Sequence, residues 1–419
     1  MHMSRRRRFW FSVLGVALLL LAGLGAAVAF GPLAISDVRM LWYVVTGRSA
    51  AAPSAAVVAA RLHAPPGFRV EIYAAVPQAR ILQLTATGDL IVSQTRLGRI
   101  TLLGADRDGD GRPDRRGVLR DGLDRPHGLE LRDGWLYFAE VGRISRVRFD
   151  AGRGALAGTP EVLIDGLPGE DGHRNRSLRF GPDGMLYLAI GSSCNVCVEK
   201  DERRATVMRM KPDGSDAQVF ARGLRNSVGM DFAPWDGAFY ATDNGRDLLG
   251  DDFPPCELNR IEENGFYGWP YVNGFGRLDP DFGQGREALL AATRSPVHGF
   301  RAHNAPLGIR FLRAARRAPG FERAALVALH GSWNRSQPDG YRVVSLHWRD
   351  DGTIEERPFL WGFLDPAGII GRPVDIAEAQ DGTLYVSDDY AGVIYRVHYS
   401  GSTDAPAAAD RRRANTRAR

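Results

Sequence analysis

The segment DGMLYLAI, which starts at Asp183, is one copy of a pattern that runs the length of the chain. A turn followed by an apolar strand appears as TGDLIVSQ from Thr87, DGWLYFAE from Asp133 and DGMLYLAI from Asp183. It appears again as DGAFYATD from Asp236, AALVALHG from Ala324 and DGTLYVSD from Asp381. Asp-Gly ahead of alternating Leu, Tyr and Val is a turn-then-strand signal. A strand-built repeat of roughly 40–50 residues is that of a β-propeller, one repeat per blade. Six copies therefore predict an all-β, six-bladed β-propeller, with a long insertion between the fourth and fifth copies. No amphipathic helix of convincing length breaks the pattern. The 49 glycines and 24 prolines suit a chain made of turns.

Upstream of each of these strands lies another, and it starts polar. The starts are Gln83 in ILQLTA, His127 in RPHGLEL, His173 in HRNRSLRF, Arg225 and Asn226 in LRNSVGMDF, His303 and Asn304 in HNAPLGIRF, and Arg372 in GRPVDIAEA. The first strand of each propeller blade lines the central channel. Its six starting segments then form a ring around one mouth, a concave polar site. His173 to Arg176 is the third blade's share of that ring.

Charge excludes one class of partner. The net charge is +5. Four positive charges come from Arg5 to Arg8 and a net three from the tail after Gly401, which leaves about −2 for everything between. The body is not a basic nucleic-acid binder. After the four arginines, Phe9 to Phe30 is uncharged and mostly apolar, a length that can span a bilayer. Arginines ahead of such a span stay cytoplasmic, so the body is expected on the periplasmic side. A cleaved signal segment ending at Ala27-Val28-Ala29 is the alternative; length favours the anchor. The expected organisation is a membrane anchor or signal segment at 1–30, a linker at 31–62, the propeller at 63–401 and a disordered basic tail at 402–419. The alanine-rich run RSAAAPSAAVVAARL is the basis of the linker reading.

Three smaller motifs remain. Cys194 and Cys197 form SSCNVC, followed by Val198 instead of the histidine of a c-type haem site. In an exported protein the pair is either a local disulfide or a reduced pair in a loop. In DRDGDGRPD, Asp106, Asp108 and Asp110 precede Gly111 at the spacing of a calcium loop. Gly117 stands where a bidentate glutamate is needed, so the alternatives are a structural calcium site and a polar turn. FYGWPYVNGF at 266–275 reads as a packed loop between blades, with Tyr267 or Trp269 as the exceptions that reach the polar mouth. There is no HExxH and no G-x-S-x-G in the body.

His173 with Ser177-Leu178 and GPDGMLYLAIG, GLRNSVGMDF, and NGFYGWPYVNG together resemble the quinoprotein sugar dehydrogenases. PPGFRVEIYA, GSSCNVC and HGSWNR are similar to the L-sorbosone dehydrogenase-like branch. The resemblance covers about 65–400 in order, and it implies pyrroloquinoline quinone and a calcium ion over the channel. It implies His173 as the base that takes a proton from a sugar hydroxyl, which suits imidazole near neutral pH. Arg225 and Asn226 match the pair beside the quinone, and Arg372 matches a cofactor-binding arginine. Gly245 and Arg246 match the position whose backbone carbonyls bind calcium. Two matches are lost: a second arginine aligns with Val374, and a cofactor-gripping lysine aligns with Asn334, where the neighbouring Arg335 supplies a charge. The implied function is oxidation of an aldose or a sorbosone-like aldehyde, with electrons leaving to a quinone pool or a cytochrome. A calcium-dependent lactonase on the same architecture and a non-catalytic binding propeller are the rival readings.

Overall fold

The computed structural model describes residues 50–169, 171–315 and 317–401. Six four-stranded antiparallel units form the body; the third gains a short fifth strand. The six repeated segments of the sequence become the second strands of the six blades: Leu90–Gln94, Trp135–Ala139, Leu186–Ile190, Phe239–Asp243, Ala324–Leu329 and Leu384–Asp388. Apart from Trp135, every residue in these strands is buried. A strand covered on both faces reads as a continuous apolar run, and that is why this strand carries the repeat.

The inner strands are Ala79–Leu84, Leu129–Arg132, Arg176–Phe180, Ser227–Phe232, Pro306–Phe311 and Pro373–Glu378. Each packs on the next around the ring, and the sixth returns to the first. The ring is closed by the N-terminal strand Phe68–Ala75, which pairs antiparallel with Val393–Tyr399 as the outer strand of the sixth blade. Closure removes the free edges that an open array of sheets would present.

Four inner strands carry a register shift at the mouth end, in blades one, four, five and six. The bulged residues Val228, Leu307 and Val374 pack together as a small apolar cluster. Val374, where the resemblance expects an arginine, faces two apolar neighbours here. Close approach of the strands here depends on glycine. A Cβ on Gly229 would collide with the Leu307 carbonyl, and one on Gly308 with Asp375. Deeper in the channel, Arg179 bridges Glu130 at 3.0 Å and Asp231 at 2.9 Å. Burial opposes ionisation of Asp231, but Arg179 and Arg313 outweigh it and hold the carboxyl at about 2.

One segment departs from expectation. The alanine-rich stretch expected to be a linker contains a helix, Ala55–Arg61, capped by Ser54. Val58 and Leu62 are buried against the core of blades five and six. Arg61 reaches Asp365 and the Gly368 carbonyl, both at 2.6 Å. Composition hid this because alanine suits a helix as well as a linker. The expected insertion follows Ile261, and its short strand Gly265–Phe266 pairs with the outer strand of blade three. The proposed anchor and the basic tail lie outside the described residues. No helix among the described residues is long and apolar enough to cross a membrane.

Candidate functional site

His173 opens the inner strand of blade three. Gly172, at φ +63°, turns the chain into the mouth, and His173 N donates to the Ser192 carbonyl at 2.9 Å. Gly191 makes room. A Cβ there would lie 2.6 Å from the His173 Cβ and 2.8 Å from Asn226 Oδ1. The imidazole Nδ1 sits 3.1 Å from the Ser192 carbonyl and 2.9 Å from Ser192 Oγ. Ser192 Oγ gives its own proton to the Cys194 carbonyl at 2.7 Å. Both serine oxygens therefore accept from Nδ1, so Nδ1 carries the ring proton and Nε2 holds the lone pair. Burial, and the Arg225 guanidinium nearby, push this imidazole down to about 3. It is a neutral base at neutral pH.

The rest of the HRNR cluster has other work. Arg176 is fully buried and ties four backbone carbonyls, those of Pro168, Val141, His173 and Asn175. It rivets loops together. Arg174 is exposed at the rim.

Blade four supplies Arg225 and Asn226. The Arg225 guanidinium is caged. Nε donates to the Asn195 carbonyl at 2.9 Å and Nη2 to Asn195 Oδ1 at 2.9 Å. Nη1 donates to the carbonyls of Asn244 and Gly245 at 3.1 and 2.8 Å, and Nη2 reaches Asp247 at 3.2 Å. Those contacts use all five of its N–H groups. Asn195 sits inside the Cys194–Cys197 ring, which is a disulfide. Asn226 N donates to Asp243 at 2.7 Å, and its side chain faces His173 across Gly191. The Gly245 carbonyl, expected to face calcium, accepts from Arg225. The Arg246 side chain lies away from the mouth, in a buried pair with Asp279 at 2.8 and 2.9 Å. That pair anchors the insertion.

Blades five and six supply the remaining predicted residues. Arg372 donates to the carbonyls of His330 and Gly331 at 2.9 and 2.6 Å and lies over the Tyr341 ring. Arg335 donates to the carbonyls of Gln337 at 3.2 Å and Ala302 at 3.3 Å, and to that of Asp251. Asn334 is buried, and its Oδ1 has no hydrogen-bond partner among the described residues. His303 Nε2 donates to the Gly250 carbonyl at 2.8 Å.

Three predicted members change place. By register Gln83 aligns with Arg179, Asp231 and Arg310 in the channel wall, below the mouth. The blade-one residue at the mouth is Arg80, paired with Asp389 at 2.5 Å. The bulge in that strand shifts the count. Tyr267 and Trp269 are buried, and the Tyr267 hydroxyl donates to the Arg260 carbonyl at 2.6 Å. Tyr267 packs the insertion against blades three and four, and Trp269 N donates to the Gly223 carbonyl at 3.1 Å. The mouth also gains His330, held to Asp389 at 2.9 Å. Sequence reasoning missed His330, Asp389 and Ser192 because it followed first strands only. Second strands run antiparallel, so their C-terminal ends reach the same mouth. The polar endings GSS, LHG and SDD were the available signal. The mouth carboxylates Asp243, Asp247 and Asp389 each pair with a basic residue or backbone donors. Among the described residues they do not come together as a metal-holding group.

The TrAA12-like family model matches residues 62–259 and 287–400. The chain belongs to the TrAA12-like family. It is similar to the aldose sugar dehydrogenase YliI of Escherichia coli, 24% identical over 307 residues that cover 67% of this chain and 77% of that one. Among solved structures it resembles the pyrroloquinoline quinone domain of pyranose dehydrogenase from Coprinopsis cinerea in its holo form. That match has a TM-score of 0.68 and 21% identity, over 80% of this chain and 97% of the other. A calcium structure of the Trichoderma reesei family AA12 enzyme gives a TM-score of 0.70 and 20% identity, over 81% and 97%. At these identities the structural matches establish the fold, a six-bladed propeller in agreement with the sheets of this chain. Family membership thus confirms the resemblance drawn from the sequence motifs.

Proposed function

We propose that the protein is a pyrroloquinoline quinone-dependent dehydrogenase that oxidises a sugar, with His173 Nε2 as the base that takes the hydroxyl proton. One observation carries the reading. Both oxygens of Ser192 accept from His173 Nδ1, which leaves Nε2 as the unprotonated nitrogen of a ring that has the Asn226 side chain beside it across Gly191 and the Arg225 guanidinium nearby. The names of the similar proteins point to the same chemistry. The quinone, when bound, accepts the hydride from the carbinol carbon. The residues present fit it in charge: Arg372, Arg335 and Arg225 bring guanidinium groups to a mouth that would receive a tricarboxylate, while the buried, unpaired Asn334 Oδ1 is an acceptor that suits a donor group or a cation and not a carboxylate. Arg225 stabilises negative charge that develops beside it, and burial strengthens that effect. Calcium enters the proposal through the family AA12 relative. For the ion to bind at Gly245 and Arg246, the Gly245 carbonyl would use the lone pair that its hydrogen bond from Arg225 leaves open. An electron acceptor in the membrane, either a quinone pool or a cytochrome, and a periplasmic location belong to the same proposal. They rest on the apolar run from Phe9 to Phe30.

The test is reconstitution of the full chain with pyrroloquinoline quinone and calcium, followed by dye reduction with aldoses and sorbosone. Sugar-dependent reduction that His173→Ala abolishes is the expected result. Absence of quinone binding, measured by fluorescence quenching, would defeat the reading.

A further inference from the structure

One loop at the mouth belongs to no strand and is held by a covalent bond. It runs from Ser192 to Glu199, between the strands Leu186–Ile190 and Thr206–Met210. The Cys194–Cys197 disulfide closes over two residues, Asn195 and Val196. Both cysteines are half-buried and Val198 beside them is exposed, so solvent reaches the loop. A disulfide stabilises a fold less the shorter the loop it closes, and the sheet of blade three is complete without this one. The effect of the bond is therefore concentrated on what the loop touches.

The loop touches Arg225 and Asp247. Asn195 accepts from Arg225 through its carbonyl and its Oδ1, both at 2.9 Å, and Oδ1 also accepts from Asp247 N at 2.8 Å. Its Nδ2 donates to the Asp247 carbonyl at 3.1 Å. These four bonds tie the loop of blade three to the mouth loops of blade four. The flanks are held in other ways. Ser192 N donates to the Arg225 carbonyl at 2.8 Å, and the Ser192 carbonyl accepts from His173 N at 2.9 Å. Glu199 accepts from Ser193 N and from Ser193 Oγ, each at 2.7 Å. With the disulfide open, the chain from Ser193 to Glu199 still closes through that carboxylate, but as a longer loop. The part released is the part that holds Arg225.

We propose that the Cys194–Cys197 disulfide is a redox switch on the mouth. Oxidised, it confines Asn195 and keeps Arg225 in place; reduced by a dithiol, it frees both and turnover falls. In that exchange a thiolate of the dithiol attacks one sulfur and forms a mixed disulfide, and the Cys194–Cys197 bond breaks. Two electrons and two protons end on the two cysteine thiols, and the dithiol becomes a disulfide. The fall in turnover rests on the dehydrogenase reading above; the loosening of Asn195, Arg225 and Asp247 does not. His173 keeps its proton on Nδ1 in both states, because the Ser192 carbonyl that accepts it is held without the disulfide.

The experiment takes the full-length protein without cofactor, reduces it with dithiothreitol, desalts it under nitrogen and compares it with untreated protein. Thiol titration follows the reaction; Cys256 is buried and stays silent in the folded protein. Hydrogen exchange reads the loops, and dye reduction is measured after pyrroloquinoline quinone and calcium are added. Reduction should speed exchange over 193–199 and 244–250, Asp247 N included, by about tenfold or more, with the strands of blade three unchanged. kcat should fall about tenfold with an unaltered pH profile, and oxidised dithiothreitol should restore both readings. The double variant Cys194→Ser, Cys197→Ser should stay at the low value and respond to neither reagent. Reduced protein with unchanged exchange and turnover overturns the proposal. So does reduction that speeds exchange in strands throughout the body, since the disulfide then serves the fold. A disulfide that dithiothreitol leaves intact in the folded protein overturns it as well. Faster loop exchange with no sugar oxidised in either state leaves the switch standing and defeats the dehydrogenase reading instead.

Discussion

Asn195 holds Arg225 in place, and its removal gives a measurable loss. Asn195→Ala deletes an acceptor for Arg225 Nη2 at 2.9 Å and for Asp247 N at 2.8 Å. It also deletes the donor to the Asp247 carbonyl at 3.1 Å. The Asn195 backbone carbonyl still accepts from Arg225 Nε, so the cage is weakened and not emptied. A hydrogen bond to a charged group contributes about 1.5–3 kcal/mol, and a buried donor left unpaired costs about 1–3 kcal/mol. Taking about 2 kcal/mol as the part felt in the transition state, kcat/KM should fall about 30-fold. The assay is dye reduction by the reconstituted enzyme, with urea unfolding of the same preparations. Asn195→Asp keeps an acceptor toward Arg225 and should recover part of the loss. Opening the Cys194–Cys197 ring with paired serine substitutions should act in the same direction, because the ring confines Asn195. If Asn195→Ala keeps kcat/KM within about twofold while its unfolding midpoint drops, Asn195 serves the fold alone and the positioning argument is wrong.

Three further outcomes are expected. Gly191→Ala places a methyl group 2.6 Å from the His173 Cβ and 2.8 Å from Asn226 Oδ1. Dye reduction should fall by about tenfold or more, with a smaller change in Tm. Arg246→Ala leaves Asp279 buried without its cation, which should cost about 3–5 kcal/mol in urea unfolding; a change under about 1 kcal/mol would contradict the buried-pair reading. The third concerns pH. Burial, with Arg225 beside it, pushes His173 down to about 3, and burial, with Arg372 nearby, pushes His330 down to about 4. The unfolded chain therefore binds more protons between those values and about 6.5, and these histidines make stability rise with pH in that window. Burial pushes Asp388 up to about 7 and Glu257 up to about 8. The native state then binds more protons above about 4, and these acids make stability fall as pH rises. Above about 6.5 the histidines no longer contribute, so Tm should decline between pH 6.5 and 8; a rising Tm would refute the assignment. The activity profile should show no inflection near 6.5, since His173 is neutral throughout that range.

The fold was readable because its strongest signal is physical and repeated. The second strand of each blade is covered on both faces, so it must be apolar along its length, and the turn before it needs Asp-Gly or a close equivalent. Six repetitions leave little freedom in the count. The helix Ala55–Arg61 was unreadable for the opposite reason. Of its residues, only Val58 is buried, and a single buried residue makes no periodic pattern. What holds the helix on the body is tertiary: Val58 and Leu62 against the core, and Arg61 on Asp365.

The site was half readable, and the missing half follows from strand direction. First strands begin at the mouth and second strands end there, so each blade contributes two polar segments that lie far apart in sequence. His173, Arg225, Asn226 and Arg372 belong to the first kind and were found. Ser192, His330 and Asp389 belong to the second and were not, although each directs a residue of the first kind. Ser192 fixes the tautomer of His173. The His330 carbonyl receives Arg372, and Asp389 holds Arg80. Bulges obscure the remainder. In blade one, the register shift between Ala79 and Leu82 puts Arg80 at the mouth and Gln83 in the channel wall. In blade six, the equivalent shift buries Val374 with Val228 and Leu307. A bulge leaves no mark in an apolar-polar pattern because it adds a residue without changing its type. The same bulges set the distances across this mouth, so its chemistry depends on the feature that the sequence conceals best.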